Sequence, residues 1–312
     1  MHRIVKSHLT SFAREYGYES DEEDVVFEKF SNYCFLQPKV AGKIDIDDVT
    51  TDVDDDGIDG VALVINEDLV RSSKDAAAVF AKDRRNNDVE VAFLQAKRSE
   101  SFDLGDFLKF KDAILRFLKE TPYEVESDLQ KDVRAAFDVA LDNAPRTRDG
   151  KPTLSAYFVT TGVYSEQRAF ERAKGEFLDQ LTALGYFSRI DVRLLGREDL
   201  IKAWVDSYSG TEATLLMHSH AGLPQLKGIA ESYLAVVRAK EFVSEILTDD
   251  DGAIRSSIFE DNVRHFLGVD NPVNKSISET IGDAEACTRF PVLNNGVTLE
   301  RVMNFEVSKR HY

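Results

Sequence analysis

Six residues without a polar side chain, Gly60 to Ile65 in "GVALVIN", follow directly on five aspartates packed into eight residues, "DVDDDGID". Burying an uninterrupted run of this kind places it in a strand covered on both faces, because a strand with one wet face would alternate. A second run, "VEVAFLQAK" at residues 89–97, is rich in Val and Phe and reads the same way. Asp52, Asp54, Asp56 and Gly57 spell the start of a calcium loop, but such a loop closes on a bidentate Glu at its twelfth position. Counted from Asp52, that position is Leu63, inside the apolar run. The earlier aspartates therefore read as a solvated approach, and Asp59 as the residue that enters the strand.

At 312 residues, with 43% hydrophobic side chains, the chain can build two domains of ordinary size. No apolar run approaches a bilayer span, and Glu15 with broken apolar continuity does not suit a signal sequence, so we expect a cytoplasmic protein with no membrane partner. Cys34 and Cys287 are too few for a disulfide framework and form no metal-binding CxxC. A formal net charge of −17 argues against a nucleic-acid partner, yet Lys82, Arg84, Arg85, Lys97, Arg98, Lys109, Lys111, Arg116 and Lys119 concentrate the opposite sign locally.

The spacing predicts helices over residues 1–19 and 22–36, the second with Val26, Phe27, Phe30, Tyr33 and Cys34 on its apolar stripe and Glu28 on the flank. Two amphipathic helices are expected in a helical insertion over about residues 103–143. A strand–helix–strand–helix series from Thr153 to Tyr208 continues an α/β architecture. "SGTEA", Ser209 to Ala213, is the expected boundary between domains at 1–208 and 209–312. Beyond it, residues 226–246 read as a helix, Asp249 to Gly252 as a solvated helix stop, and "RFPVLNNGVTLERV" as a strand. His218 and His220 alternate as on a strand and lack a nearby third ligand, so a metal pair is not expected.

Period-two geometry places Gln95 and Lys97 on one face at the end of a strand, and pairing with the first run would bring Asp59 to them. Glu28 could join from its helix. Hard oxygen ligands for Mg²⁺ and a cation that orients water form the inventory needed to hydrolyse a phosphodiester.

This set resembles the PD-(D/E)xK nuclease superfamily, in the branch where the first acid of (D/E)xK is Gln. The resemblance implies a restriction-endonuclease-like mixed sheet flanked by helices, with Glu28, Asp59 and Gln95 as Mg²⁺ or Mn²⁺ ligands and Lys97 as the water-orienting cation. Gln95 departs from the commonest pattern by removing a charge. The link from Asp59 to Gln95 is longer than usual, so residues 67–88 would form an insertion or an extra hairpin. Downstream, "FEDNVRHFLG" and "NNGVT" resemble the AIPR family, named for abortive infection and phage resistance. The residues are Phe259, Asn262, Val263, Arg264, Phe266, Leu267 and Gly268, then Asn294 to Thr298.

This second resemblance implies anti-phage defence, a second, partly helical α+β domain, and a binding role for Asn262, Arg264, Asn294 and Asn295. Its members are usually longer, so we expect the chain to be a fragment. Nucleic acid, with DNA ahead of RNA, is the expected partner, beside a homodimer contact and other defence proteins. The alternative is a nuclease-fold module without activity that binds nucleic acid or a protein.

Overall fold

The structure, a computed structural model, describes residues 1–40, 43–51, 57–82, 84–119, 127–165, 167–208, 215–222, 233–248, 280, 282 and 283. Most of these fall into two compact units, residues 1–208 with 242–248 and residues 215–222 with 233–241.

The first unit begins with α1 (Arg3–Tyr16) and α2 (Glu23–Leu36) and continues through β1 (Gly60–Ile65), β2 (Asp68–Val70), α3 (Ser73–Phe80) and β3 (Val89–Lys97). It then runs through α4 (Leu104–Leu118), α5 (Asp128–Asp142), β4 (Thr153–Thr160), α6 (Arg168–Leu184), β5 (Arg189–Leu195) and α7 (Arg197–Tyr208). The five strands form one mixed sheet in the order β2-β1-β3-β4-β5. β1 is antiparallel to both neighbours, whereas β3, β4 and β5 run parallel. Parallel neighbours need a crossover, supplied by α4 with α5 and then by α6.

Both long apolar runs are strands, and all six residues of β1 are buried. Alternation divides their side chains between two layers. Val61, Leu63, Ile65, Val91 and Phe93 pack with α3, α4, α5 and α6. Leu94 and Ala96 pack with α1, α2 and α7, while Ala62, Val64 and Ala92 meet Leu36 and the loop residues Ile44, Ile46 and Val49. The sheet is thus covered on both faces, as the unbroken run requires.

Residues 67–88 prove to be a short hairpin strand followed by a helix. Asn66 and Glu67 turn at φ 56° and 68°, the two-residue geometry that suits the twist of paired strands, and Ile65 faces Asp68 across it. α3 then starts at Ser72, whose hydroxyl accepts a hydrogen bond from the Asp75 N–H. α5 begins with a full capping box between Ser127 and Gln130.

In the second unit β6 (Met217–Gly222) pairs antiparallel with β7 (Tyr233–Val237); next in the chain comes α8 (Ala239–Phe242), whose last residue belongs to the first unit. β7 corrects the expected helix over residues 226–246 at Tyr233–Val237, whereas Ala239–Phe242 and Val243–Leu247 are helical and residues 226–232 lie outside the described residues. "YLAVV" is rich in aromatic and β-branched residues, and a partner strand supplies the backbone hydrogen bonds that decide between the two periods. No helix among the described residues is long and apolar enough to cross a membrane. The expected boundary at 209–213 and the acidic stop at 249–252 lie outside the described residues, as does Cys287.

Candidate functional site

β1 stops pairing at Gly60 opposite Leu94, so β3 runs on past it through Gln95, Ala96 and Lys97. Asp59 fills the vacated edge. Its N–H donates to the Leu94 carbonyl at 2.9 Å, and its carboxylate Oδ2 accepts from the Ala96 N–H at 2.8 Å. The carboxylate therefore stands where the next backbone carbonyl of β1 would be. Asp59 is buried at 7% exposure, which a carboxylate tolerates only where partners or a cation compensate.

Gln95 is buried at 2% exposure, between Leu94 and Ala96, which belong to the α2 layer. Strand alternation turns it to the other face, beside Phe158 of β4 and below α4. Its carbonyl oxygen Oε1 has no hydrogen-bond partner among the described residues. Buried polar atoms are satisfied in the great majority of cases, so this orphan acceptor asks for an electropositive ligand. The side chain of Lys97, half-buried at the strand end opposite Thr160, makes no hydrogen bond or ion pair among the described residues.

α2 reaches the same end of the sheet from the opposite layer. Its Asn32 is fully buried, and the amide Nδ2 donates at 3.0 Å to both the Asp59 carbonyl and Thr50 Oγ1. Gly60 is required beneath it, since a Cβ there would lie 1.9 Å from Asn32 Oδ1. At the start of α2, Glu23 and Asp24 both pair with Arg98, the residue after Lys97. Lys6 and Arg98 hold the Glu23 carboxyl below its ordinary range, chiefly through the Lys6 hydrogen bond. Glu28 lies one turn before Asn32 on the same helix, bracketed between these two contacts, and is half-buried. Glu28 thus shares a face of α2 with Asp24 and Asn32, in the layer opposite Gln95.

Two acids and an amide can hold a hard cation through oxygen, and the unpaired Gln95 carbonyl fits that use. Among the described residues, no three or more His, Cys, Asp and Glu side chains gather as a metal group. His218 and His220 are exposed on β6. Pattern alone did not single out Asn32, Gly60 and Arg98 as positioning residues. For Asn32 the available signal was a polar residue interrupting the buried stretch "FSNYCFL" of α2.

Two residues before Asp59, a Cβ at Gly57 would come within 3.0 Å of the α4 backbone at Lys109 and Phe110, and Gly57 has φ 112°. Glycine is needed there on both counts. Residues 52–56 lie outside the described residues.

Residues 259–302 match the sequence model of a family described as AIPR protein. Both downstream motifs, Phe259 to Gly268 and Asn294 to Thr298, fall within that match. They lie outside the described residues, as do Asn262, Arg264, Asn294 and Asn295. No curated protein and no solved structure matches the chain.

Proposed function

We propose that the Asp59 end of the sheet is a metal-dependent phosphodiesterase centre acting on nucleic acid, in a protein of anti-phage, abortive-infection defence. The observation that carries the catalytic part is the buried, unpartnered carbonyl of Gln95, the residue before the Ala96 whose N–H holds the Asp59 carboxylate. The defence role rests on the match at residues 259–302. The succession of helix, antiparallel β1, β2 and β3, crossover helices and parallel β4 supports a restriction-endonuclease-like fold.

Asp59, Gln95 and Glu28 would hold Mg²⁺ or Mn²⁺, which when bound supplies Lewis acidity toward a phosphate oxygen and acidifies water. The Ala96 N–H fixes one oxygen of Asp59 and so orients the carboxylate. Lys97 orients the attacking water and offsets the negative charge that builds on the phosphate. Arg98, held by Glu23 and Asp24, keeps α2 and with it Glu28 against the end of the strand.

The test is cleavage of plasmid, single-stranded DNA and RNA with Mg²⁺ or Mn²⁺ by wild type, Lys97→Ala and Asp59→Asn. Asn keeps an acceptor for the Ala96 N–H, so Asp59→Asn should fold. Each variant should lose about 10²-fold or more in rate. Metal-dependent cleavage that survives Lys97→Ala unchanged would overturn the assignment.

A second reading, an inactive module that keeps the fold and binds nucleic acid or protein, is favoured by the neutral Gln95 and by the structural use of Asp59 Oδ2. Calorimetric titration with Mn²⁺ separates the two. Absence of binding at the Asp59 site, with nucleic-acid affinity retained, establishes the second.

A further inference from the structure

The opposite end of the sheet carries a basic surface assembled from segments distant in sequence. The loop before β3 is pinned to the loop before β4. The Asn87 N–H donates to the Arg146 carbonyl at 2.9 Å, and the Arg148 N–H donates to the Asn87 carbonyl at 2.8 Å. Asn87 is fully buried, and its Nδ2 donates to the carbonyls of Arg146 and Arg84. The Arg146 guanidinium reaches back to the carbonyls of Phe80 and Lys82. The start of β5 joins them, with Ser188 Oγ bonded to the carbonyls of Lys151 and Pro152 and Arg189 paired with Thr153.

Lys82, Arg84, Arg85, Arg146, Arg148, Lys151 and Arg189 thus lie on adjacent strand ends, in a chain of net charge −17. The acids in these segments, among the described residues, are Asp88 and Asp149. Asp88 neutralises Arg148, whereas Arg146 is held by carbonyls, which leave its charge in place. Lys82, Arg84, Arg85, Lys151 and Arg189 make no side-chain hydrogen bond or ion pair among the described residues, and all but Arg84 are exposed.

We infer that this end of the sheet is a binding site for the phosphate backbone of nucleic acid, formed by Lys82, Arg84, Arg85, Lys151 and Arg189. Several unneutralised cations on a rigid, hydrogen-bonded base suit a repeating anion better than a single small one. The arginine forks match phosphate oxygens in particular. The site lies at the far end of β3 from Lys97 and does not depend on the catalytic reading.

The test is fluorescence polarisation of labelled duplex DNA with the full chain, in chelator, from about 50 to 200 mM salt. Arg84→Glu with Arg85→Glu should weaken binding about tenfold or more and reduce the slope of log K against log salt by about 1.8. Arg14→Glu with Lys202→Glu, on the α1 and α7 layer, should change neither. Arg84→Glu with Arg85→Glu should bind Mn²⁺ as wild type does, so loss of DNA binding and loss of the metal centre are separable. The inference is overturned if the two charge reversals act equally or if wild-type binding lacks salt dependence. It is also overturned if polyglutamate competes as well as DNA at equal charge, which would assign the surface to an acidic protein.

Discussion

At its Val89 end, the polar side chains of the sheet are engaged, the buried Asn87 and the half-buried Glu90 alike. Asn87 bonds through its amide to Asn66 and to the carbonyls of Arg84 and Arg146, and Glu90 accepts from both Lys39 and Ser155. At its Lys97 end, Gln95 is as thoroughly buried, yet its carbonyl oxygen has no partner among the described residues. Both Asn87 and Gln95 are amides on or beside β3, and their chemistry does not distinguish them. Satisfaction does: a saturated buried amide stitches loops together, whereas an orphan acceptor keeps a capacity for something else.

The largest expected effect tests the saturated end. Asn87→Leu should destabilise the protein by about 3 kcal/mol, because it strands the loop carbonyls it serves in a buried setting. A chemical-denaturation midpoint checks this, and a loss under about 1 kcal/mol would remove the contrast between the two ends. Gln95→Met should shift the same midpoint by no more than about 1 kcal/mol and in the stabilising direction, since it replaces an unpaired polar atom with an apolar one. Its cost should instead appear as weakened Mn²⁺ binding. A marked loss of stability in Gln95→Met would mean that the oxygen has a structural partner.

The smallest effect concerns Lys39. Burial pulls its ammonium down, but Tyr157 and Glu90 more than offset this, and the net shift is upward. A lysine raised in the folded state contributes stability that is complete below its ordinary value, about 10.4, and is lost as pH rises through the folded value. Lys39→Met should therefore cost about 1 kcal/mol near neutrality. It should also flatten the decline of stability above that range, read from denaturation midpoints across alkaline pH. A decline identical to wild type would show that other groups set it.

Much of the first unit could be read from pattern. The unbroken apolar run of β1 and the Val- and Phe-rich β3 announced a sheet covered on both faces, and α4 and α5 announced themselves by helical spacing. "YLAVV" was misread, because a short apolar stretch fits either period until a partner strand supplies its hydrogen bonds. Of the candidate site, Asp59, Gln95 and Lys97 were visible as residue types at suggestive spacing. Asn32 was not, because its importance lies in a contact with Gly60 across 28 positions of chain.

By itself the sequence determined which stretches must be buried, where the chain turns, and which side chains have chemistry to offer, since these follow from local periodicity and residue type. Only the tertiary structure decided that β1 begins one residue after Asp59, so that a carboxylate takes the place of a backbone carbonyl beside Ala96. It alone decided that Gln95 is left without a partner among the described residues and that basic loops from three strand ends form one surface. These outcomes depend on which groups meet across the sheet, and hydrogen bonds and charges act over a few ångströms of space, whatever the separation along the chain.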